Sequence, residues 1–215
     1  MSKSASEAQH KRFVFIGGPI VALLRNLVLL GSLFAMTGCQ SVAPVVKIGL
    51  VAPFEGRYRN VGYDVIYSAR LAVREINEAG GIGGTRVALV ALDDTGNPEY
   101  AEATARSLVI DPAVMAVVGH WLPETSDAAK PIYAQHKVPF LLGGVERFAA
   151  TDPGHLRADF VSSYAAVTPF DEMPGPYAAP AYDAFQLLFQ AFALAKEKNN
   201  VIDRSSVQAA LDDLR

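Results

Sequence analysis

Val45-Val46-Lys47-Ile48-Gly49-Leu50-Val51-Ala52, halted by Pro53, is the stretch on which the fold turns. It is short, rich in β-branched residues and apolar at nearly every position. A strand with one wet face alternates apolar with polar; a near-continuous run belongs to a strand buried on both faces, as in a parallel sheet. The period then changes. Between Tyr63 and Ala79, residues Ile66, Ala69, Leu71, Ala72, Val73 and Ile76 fall on or near one helical stripe. Arg70, Arg74, Glu75 and Glu78 lie outside it, so the spacing predicts an amphipathic helix. Gly80-Gly81 ends it, because glycine readily takes the left-handed cap conformation.

The same unit recurs downstream. Arg86 to Leu92 reads as a second strand, ending at Asp93-Asp94. Pro98 opens a helix to about Ile110, at a first-turn position where its missing N–H costs little. Val114 to Val118 is a third strand, residues 124–136 a third helix, and Val138 to Leu142 a fourth strand closed by Gly143-Gly144. Strands alternating with helices of this length imply right-handed crossovers and a parallel three-layer α/β sheet of Rossmann type, its first strand flanked by the second and third. Ligands of such sheets bind beyond the carboxyl ends of the strands. The loops that matter are therefore 53–62, 93–98, 119–124 and 143–147.

The tail is helical. His155 to Ala166 is expected to be a short helix, residues 168–179 a Pro- and Gly-rich loop, and Pro180 to Lys198 a long helix. Its Phe185, Leu188, Phe189 and Phe192 form a bulky stripe suited to core packing. Asp203 or Ser205 can cap a last helix carrying Val207, Ala210, Leu211 and Leu214.

The start of the chain is of another kind. Cys39, the single cysteine of 215 residues, ends the apolar run from Leu27 to Met36 through Thr37-Gly38. Lys3, Lys11, Arg12 and Arg25 precede that run, against the one acid Glu7. A positive flank followed by about 7–15 apolar residues is the pattern of an export signal. Met36-Thr37-Gly38-Cys39 resembles the lipobox of bacterial lipoproteins, which implies removal of residues 1–38 and lipidation of Cys39. The other reading is an uncleaved anchor from Phe13 to Met36, burdened by Arg25 near its middle and by Gly17-Gly18-Pro19. Both make the protein exported and membrane-attached.

Four of the 19 basic and one of the 22 acidic residues lie in 1–38, so the remaining 177 residues carry a net charge of −6. An acidic domain without a Lys/Arg cluster is a poor nucleic-acid binder. That length fits one domain. His10, His120, His136 and His155 have no metal-ligand spacing with one another or with Cys39. Gly80 to Gly84 follows a helix and lacks the phosphate-loop pattern, and no G-x-S-x-G elbow appears. Neither catalysis nor a cofactor is expected.

Several stretches resemble one family. They are the first strand to Pro53, Ala72-Val73-Arg74-Glu75-Ile76-Asn77-Glu78-Ala79-Gly80-Gly81-Ile82-Gly83-Gly84, Asp93-Asp94 with Asn97-Pro98, Val117-Val118-Gly119-His120 with Ile132-Tyr133, Val138-Pro139-Phe140 and Tyr182-Asp183-Ala184. In this order they are similar to the periplasmic leucine/isoleucine/valine-binding proteins, type I solute-binding components of ABC transporters. The resemblance covers 45–148 well and 158–213 less closely. It implies two lobes closing on a solute for delivery to a permease. Here the chain passes from Gly143-Gly144 to the late helices with about a dozen residues between, so the expectation is one lobe at 46–215, comprising βα units at 46–148 and C-terminal helices at 155–215, behind a tether at 39–45.

The resemblance also implies a site. Phe54, Tyr58, Trp121, Thr125, Ser126, Gly144 and Glu146 are the expected ligand contacts. Relatives that bind branched-chain amino acids place a Ser after the third strand and a Thr in the turn after the fourth; Pro123 and Glu146 stand there in this sequence. Pro123 offers neither hydroxyl nor N–H, and Glu146 repels a carboxylate. Thr125 and Ser126, at the start of a helix, can hold an anion or simply cap that helix. Trp121 can stack on a planar or apolar solute or pack against loop 54–58, His120 is expected to be structural, and one of Asp93-Asp94 to bond the following turn. The expected partners are a small-molecule solute, an amino acid or a related compound, together with an ABC permease and the membrane through Cys39. A homodimer is another way to complete the site. The alternatives are a one-lobe interaction or sensor module and a truncated product that binds nothing.

Overall fold

The computed structural model describes residues 43–214. Four parallel strands, β1 (Val45–Ala52), β2 (Arg86–Asp93), β3 (Val114–Gly119) and β4 (Phe140–Leu142), lie in the order β2-β1-β3-β4. The helices are α1 (Arg59–Glu78), α2 (Pro98–Val109), α3 (Pro123–Gln135), α4 (Ala158–Ala165), α5 (Ala178–Asn199) and α6 (Arg204–Asp213). The first strand is central between the second and third, as expected. The segment expected to direct export, Cys39 and most of the tether lie outside the described residues.

The period of two sorts β1 between two cores. Val46, Ile48, Leu50 and Ala52 face α1, α5 and α6, where Val65, Ala69, Ala72, Phe185, Phe192 and Leu211 are buried. Val51 faces α2 and α3 with Leu108, Ala129, Ile132 and Tyr133. In β3 the register against β1 slips between Lys47 and Ile48. Met115 and Ala116 consequently face the same core, while Val114 and Val117 both face the other. One extra residue, as in a β-bulge, does this.

Three boundaries differ from the sequence reading. The first helix begins at Arg59, after a 3₁₀ turn at Gly56–Tyr58. Gly62 lies inside it because a Cβ there would stand 2.3 Å from the Pro53 carbonyl oxygen; it marks a close approach, not a loop. The fourth strand is only Phe140–Leu142, since Pro139 has no N–H for the ladder and contributes its carbonyl to Val117 alone. The short helix splits into a turn at Pro153–His155 and α4, separated by extended Leu156 and Arg157.

The tail completes the fold. The Phe185, Phe189 and Phe192 stripe is buried as expected, with Phe185 and Phe189 edge to face at 6.2 Å; burying each such side chain contributes about 1.5–3 kcal/mol. Asp203 caps α6, accepting from Ser206 N–H while Ser206 Oγ accepts from Asp203 N–H. The bond from Ser206 N–H, joined by one from the Ser205 hydroxyl, holds its carboxyl below the usual aspartate range. Arg204 then donates to the carbonyls of Val109, Asp111 and Val114, which ties α6 to the α2–β3 connection.

Candidate functional site at the strand carboxyl ends

The edge is built by carboxylates that bond backbone. Asp93 Oδ1 accepts from the N–H groups of Phe54 (2.8 Å) and Thr95 (2.7 Å), joining the β1 and β2 exits. Asp94 Oδ1 accepts from Gly96 N–H at 3.0 Å. Both acids therefore bond the turn, where one was expected to. Thr95 and Gly96 have positive φ, at 50° and 73°, and Gly96 leaves room for Tyr58 and Leu122: a Cβ on it would be 2.8 Å from the Tyr58 ring and 3.0 Å from the Leu122 side chain.

Asp94 reaches further. Its Oδ2 lies 2.7 Å from His120 Nδ1, and His120 Nε2 lies 3.2 Å from the Tyr133 hydroxyl. Asp94 and His120 are fully buried and Tyr133 is 1 % exposed. A carboxylate only accepts, so Nδ1 carries the proton and Nε2 accepts from Tyr133. Burial, with Asp94 nearby, drives the Tyr133 pKa far up, so that hydroxyl stays protonated. His120 is thus a buried strut between two strand exits and α3, as the sequence suggested.

Trp121, next in the chain, is 3 % exposed. Gly143 lies against its ring, where a Cβ would be 2.6 Å from Cδ2, and Tyr177 meets it edge-on at 5.9 Å. Among the described residues its Nε1–H has no hydrogen-bond partner. Gly144, at φ 76°, passes so near that a Cβ would be 2.7 Å from the Trp121 carbonyl oxygen. Thr125 and Ser126 are buried, and their hydroxyls donate to the carbonyls of Leu122 and His120 at 3.0 Å each. They brace the turn; no side chain caps α3.

The expected residues thus fall into two groups. Phe54 packs on the main core, and half-buried Tyr58 meets the β2 exit, with the Arg57 guanidinium 5.4 Å from its ring. Trp121, Thr125, Ser126 and Gly144 gather at the β3 and β4 exits. Glu146 is exposed at φ 47° and opens a 3₁₀ turn on the rim. Sequence reasoning missed Asp64, whose carboxylate accepts from the N–H groups of Gly175 and Tyr177 at 3.1 Å each. Burial pushes its pKa up against the pull of those bonds. It pins the segment that lays Tyr177 on Trp121. A recess of about 370 Å³ opens elsewhere, between Leu71, Glu75, Phe160 and Tyr182, and touches none of these residues.

The model of the periplasmic binding protein family matches residues 45–158, and the chain belongs to that family. It is 32 % identical over 109 residues to an amino acid binding protein of Pseudomonas aeruginosa, covering 51 % of this chain and 29 % of that one. It is 29 % identical over 140 residues to the Leu/Ile/Val-binding protein of Escherichia coli, covering 65 % and 36 %. The chain thus spans about a third of the length of these relatives. Its fold is that of the Streptococcus pneumoniae branched-chain amino acid transporter substrate-binding protein LivJ, solved with isoleucine (TM-score 0.59, 15 % identity, 78 % of this chain and 87 % of that one). It is equally that of a Rhodopseudomonas palustris ABC-transporter solute-binding protein, solved with 3,4-dihydroxybenzoic acid (TM-score 0.64, 14 % identity, 77 % and 84 %).

Proposed function

We propose that this chain is the solute-binding component of an ABC uptake system, exported and held at the membrane through lipidated Cys39, with its solute seated at the strand carboxyl ends. The observation that carries the reading is the family match over 45–158, on a sheet whose exits bring loops 54–58, 93–97, 120–126 and 143–146 to one edge. The solute is an amino acid or a related small molecule. Trp121, Thr125, Ser126, Gly144 and Glu146 line its seat on one side, and Phe54 and Tyr58 border it on the other. Delivery is to a permease, and closure around the solute selects the form that is delivered.

Free leucine, isoleucine and valine are expected to bind weakly or not at all to the isolated monomer. Glu146 opposes their carboxylate, and one lobe encloses little of a ligand where effective pockets bury about 70–90 % of its surface. Isothermal titration of the purified chain with each amino acid checks this, and a submicromolar Kd for any of them would sink it. Trp121 fluorescence reads the same event.

A second reading, a one-lobe interaction or sensor module, is favoured by one observation: in the described residues Trp121 is covered by Tyr177 and Gly143.

The lipid anchor has its own test. Intact mass of protein extracted from membranes is expected to show the loss of residues 1–38 and an added lipid, abolished in Cys39→Ser. A mature form that keeps Met1 and a free thiol would exclude it.

A further inference from the structure

β2 is an edge strand. Arg86 N–H bonds the Pro44 carbonyl and Asp94 N–H the Ala52 carbonyl, so the even-numbered residues make the ladder with β1. Backbone groups alternate sides along a strand. Those of Val87, Leu89 and Ala91 therefore face outward. Asn77 settles the first: its Nδ2 donates to the Val87 carbonyl at 2.8 Å, and its Oδ1 accepts from Val87 N–H at 2.9 Å. That side chain stands in for a neighbouring strand over one residue and goes no further.

Among the described residues, Leu89 and Ala91 have no such clasp. The strand also lacks the usual defences of an edge. It contains no Pro and no Lys, its register with β1 is unbroken from Val45↔Arg86 to Ala52↔Asp93, and Val87 to Leu92 are all apolar. Leu89 and Val90 are only half-buried and Ala91 is exposed.

We infer that this edge pairs with the same edge of a second copy of the chain, antiparallel about a twofold axis at Val90. Open residues at i and i+2 are self-complementary in that arrangement. Leu89 of one copy faces Ala91 of the other, each such pair exchanging two N–H···O bonds, and Val90 meets its own image in a non-hydrogen-bonded pair. Opposite Val87 would stand the partner's Asp93, where the Asn77 amide already sits, so the pairing is confined to Leu89, Val90 and Ala91. Charge selects the same orientation. Arg86 begins the strand beside a groove lined by Arg70, Arg74 and Glu78, in which Arg74 stands 4.0 Å from Glu78 and the balance stays basic, and Asp93 ends the strand. Antiparallel pairing sets each basic end beside the partner's acidic end, where parallel pairing sets like against like. The other edge strand, β4, spans only Phe140–Leu142, and β2-on-β4 contact is head-to-tail and does not close. The surface lies apart from the proposed solute seat.

The test uses the full chain in detergent with Cys39→Ser, so that an introduced thiol is the only one. With Val90→Cys, mild oxidation is expected to give a disulfide-linked dimer at doubled mass, since Cα atoms in such a pair stand about 4.5 Å apart, within disulfide reach. Tyr100→Cys, exposed on α2, measures random collision. Adding Ala91→Pro, which removes an outward N–H without a partner among the described residues, or the milder Ala91→Lys, is expected to abolish linkage. Linkage of Val90→Cys no faster than that of Tyr100→Cys, or linkage that survives both Ala91 substitutions, overturns the inference.

Discussion

Asp94→Ala is expected to lower stability by about 2–4 kcal/mol, because a buried donor left without its acceptor costs about 1–3 kcal/mol and a second hydrogen bond to the carboxylate is lost with it. The carboxylate is fully buried and serves His120 Nδ1 and Gly96 N–H together. Without it His120 Nδ1–H loses its acceptor in a space closed to water, and half-buried Gly96 N–H loses one beside it. Asp94→Asn keeps one acceptor oxygen and is expected to cost about 1–3 kcal/mol, the penalty for one unsatisfied buried group. Urea unfolding at unchanged slope reads both. If the two variants unfold at the parent's midpoint, the strut does not hold the strand exits together.

Gly119→Ala is the second large effect. Gly119 has φ 133°, and a Cβ there would stand 2.1 Å from the Val51 carbonyl oxygen. The backbone of β1 cannot yield without opening the sheet at the proposed seat. Conformational strain and overpacking each cost about 1–3 kcal/mol, so a combined loss of about 2–6 kcal/mol is expected. Gly80→Ala is the control, because its φ is also positive, at 98°, yet nothing lies within 4 Å of the added methyl. Thermal denaturation of the pair separates contact from conformation. Equal melting temperatures would show that the close approach of β3 to β1 carries no energy.

The sheet was legible because its signals are local. Val45 to Ala52 is apolar on both faces, and the helix before Gly80-Gly81 shows its stripe within a single element. The expected strand order held for the same reason, since short crossovers leave little choice. What escaped the reading is set by distant partners. Gly62 reads as a helix breaker until Pro53 is seen beside it. The doubling of Met115 and Ala116 on one face follows from register with β1, which no local pattern records. Asp64 looks like any acid on a helix; its acceptor role depends on Gly175 and Tyr177, more than a hundred residues away. At the candidate site the sequence predicted loops that the sheet brings to one edge. It could not say that the Thr125 and Ser126 hydroxyls are spent on carbonyls or that Tyr177 stands on Trp121, because side-chain aim is a property of the packed state.

The placing of α5 and α6 bears on how the protein is made. Translation delivers residues in order, at about 5–20 per second. All four strands emerge before α5 and α6, which complete with α1 the cover of one of their faces. Until residues 178–213 arrive, Ile48, Leu50, Ala116 and Val118 lack the Phe185, Phe192 and Leu211 that bury them, and the α2–β3 connection lacks Arg204. The nascent chain therefore holds off its final packing until α5 and α6 have been made. For the export proposed above that delay is useful, because the chain is still pliable when it reaches the pore.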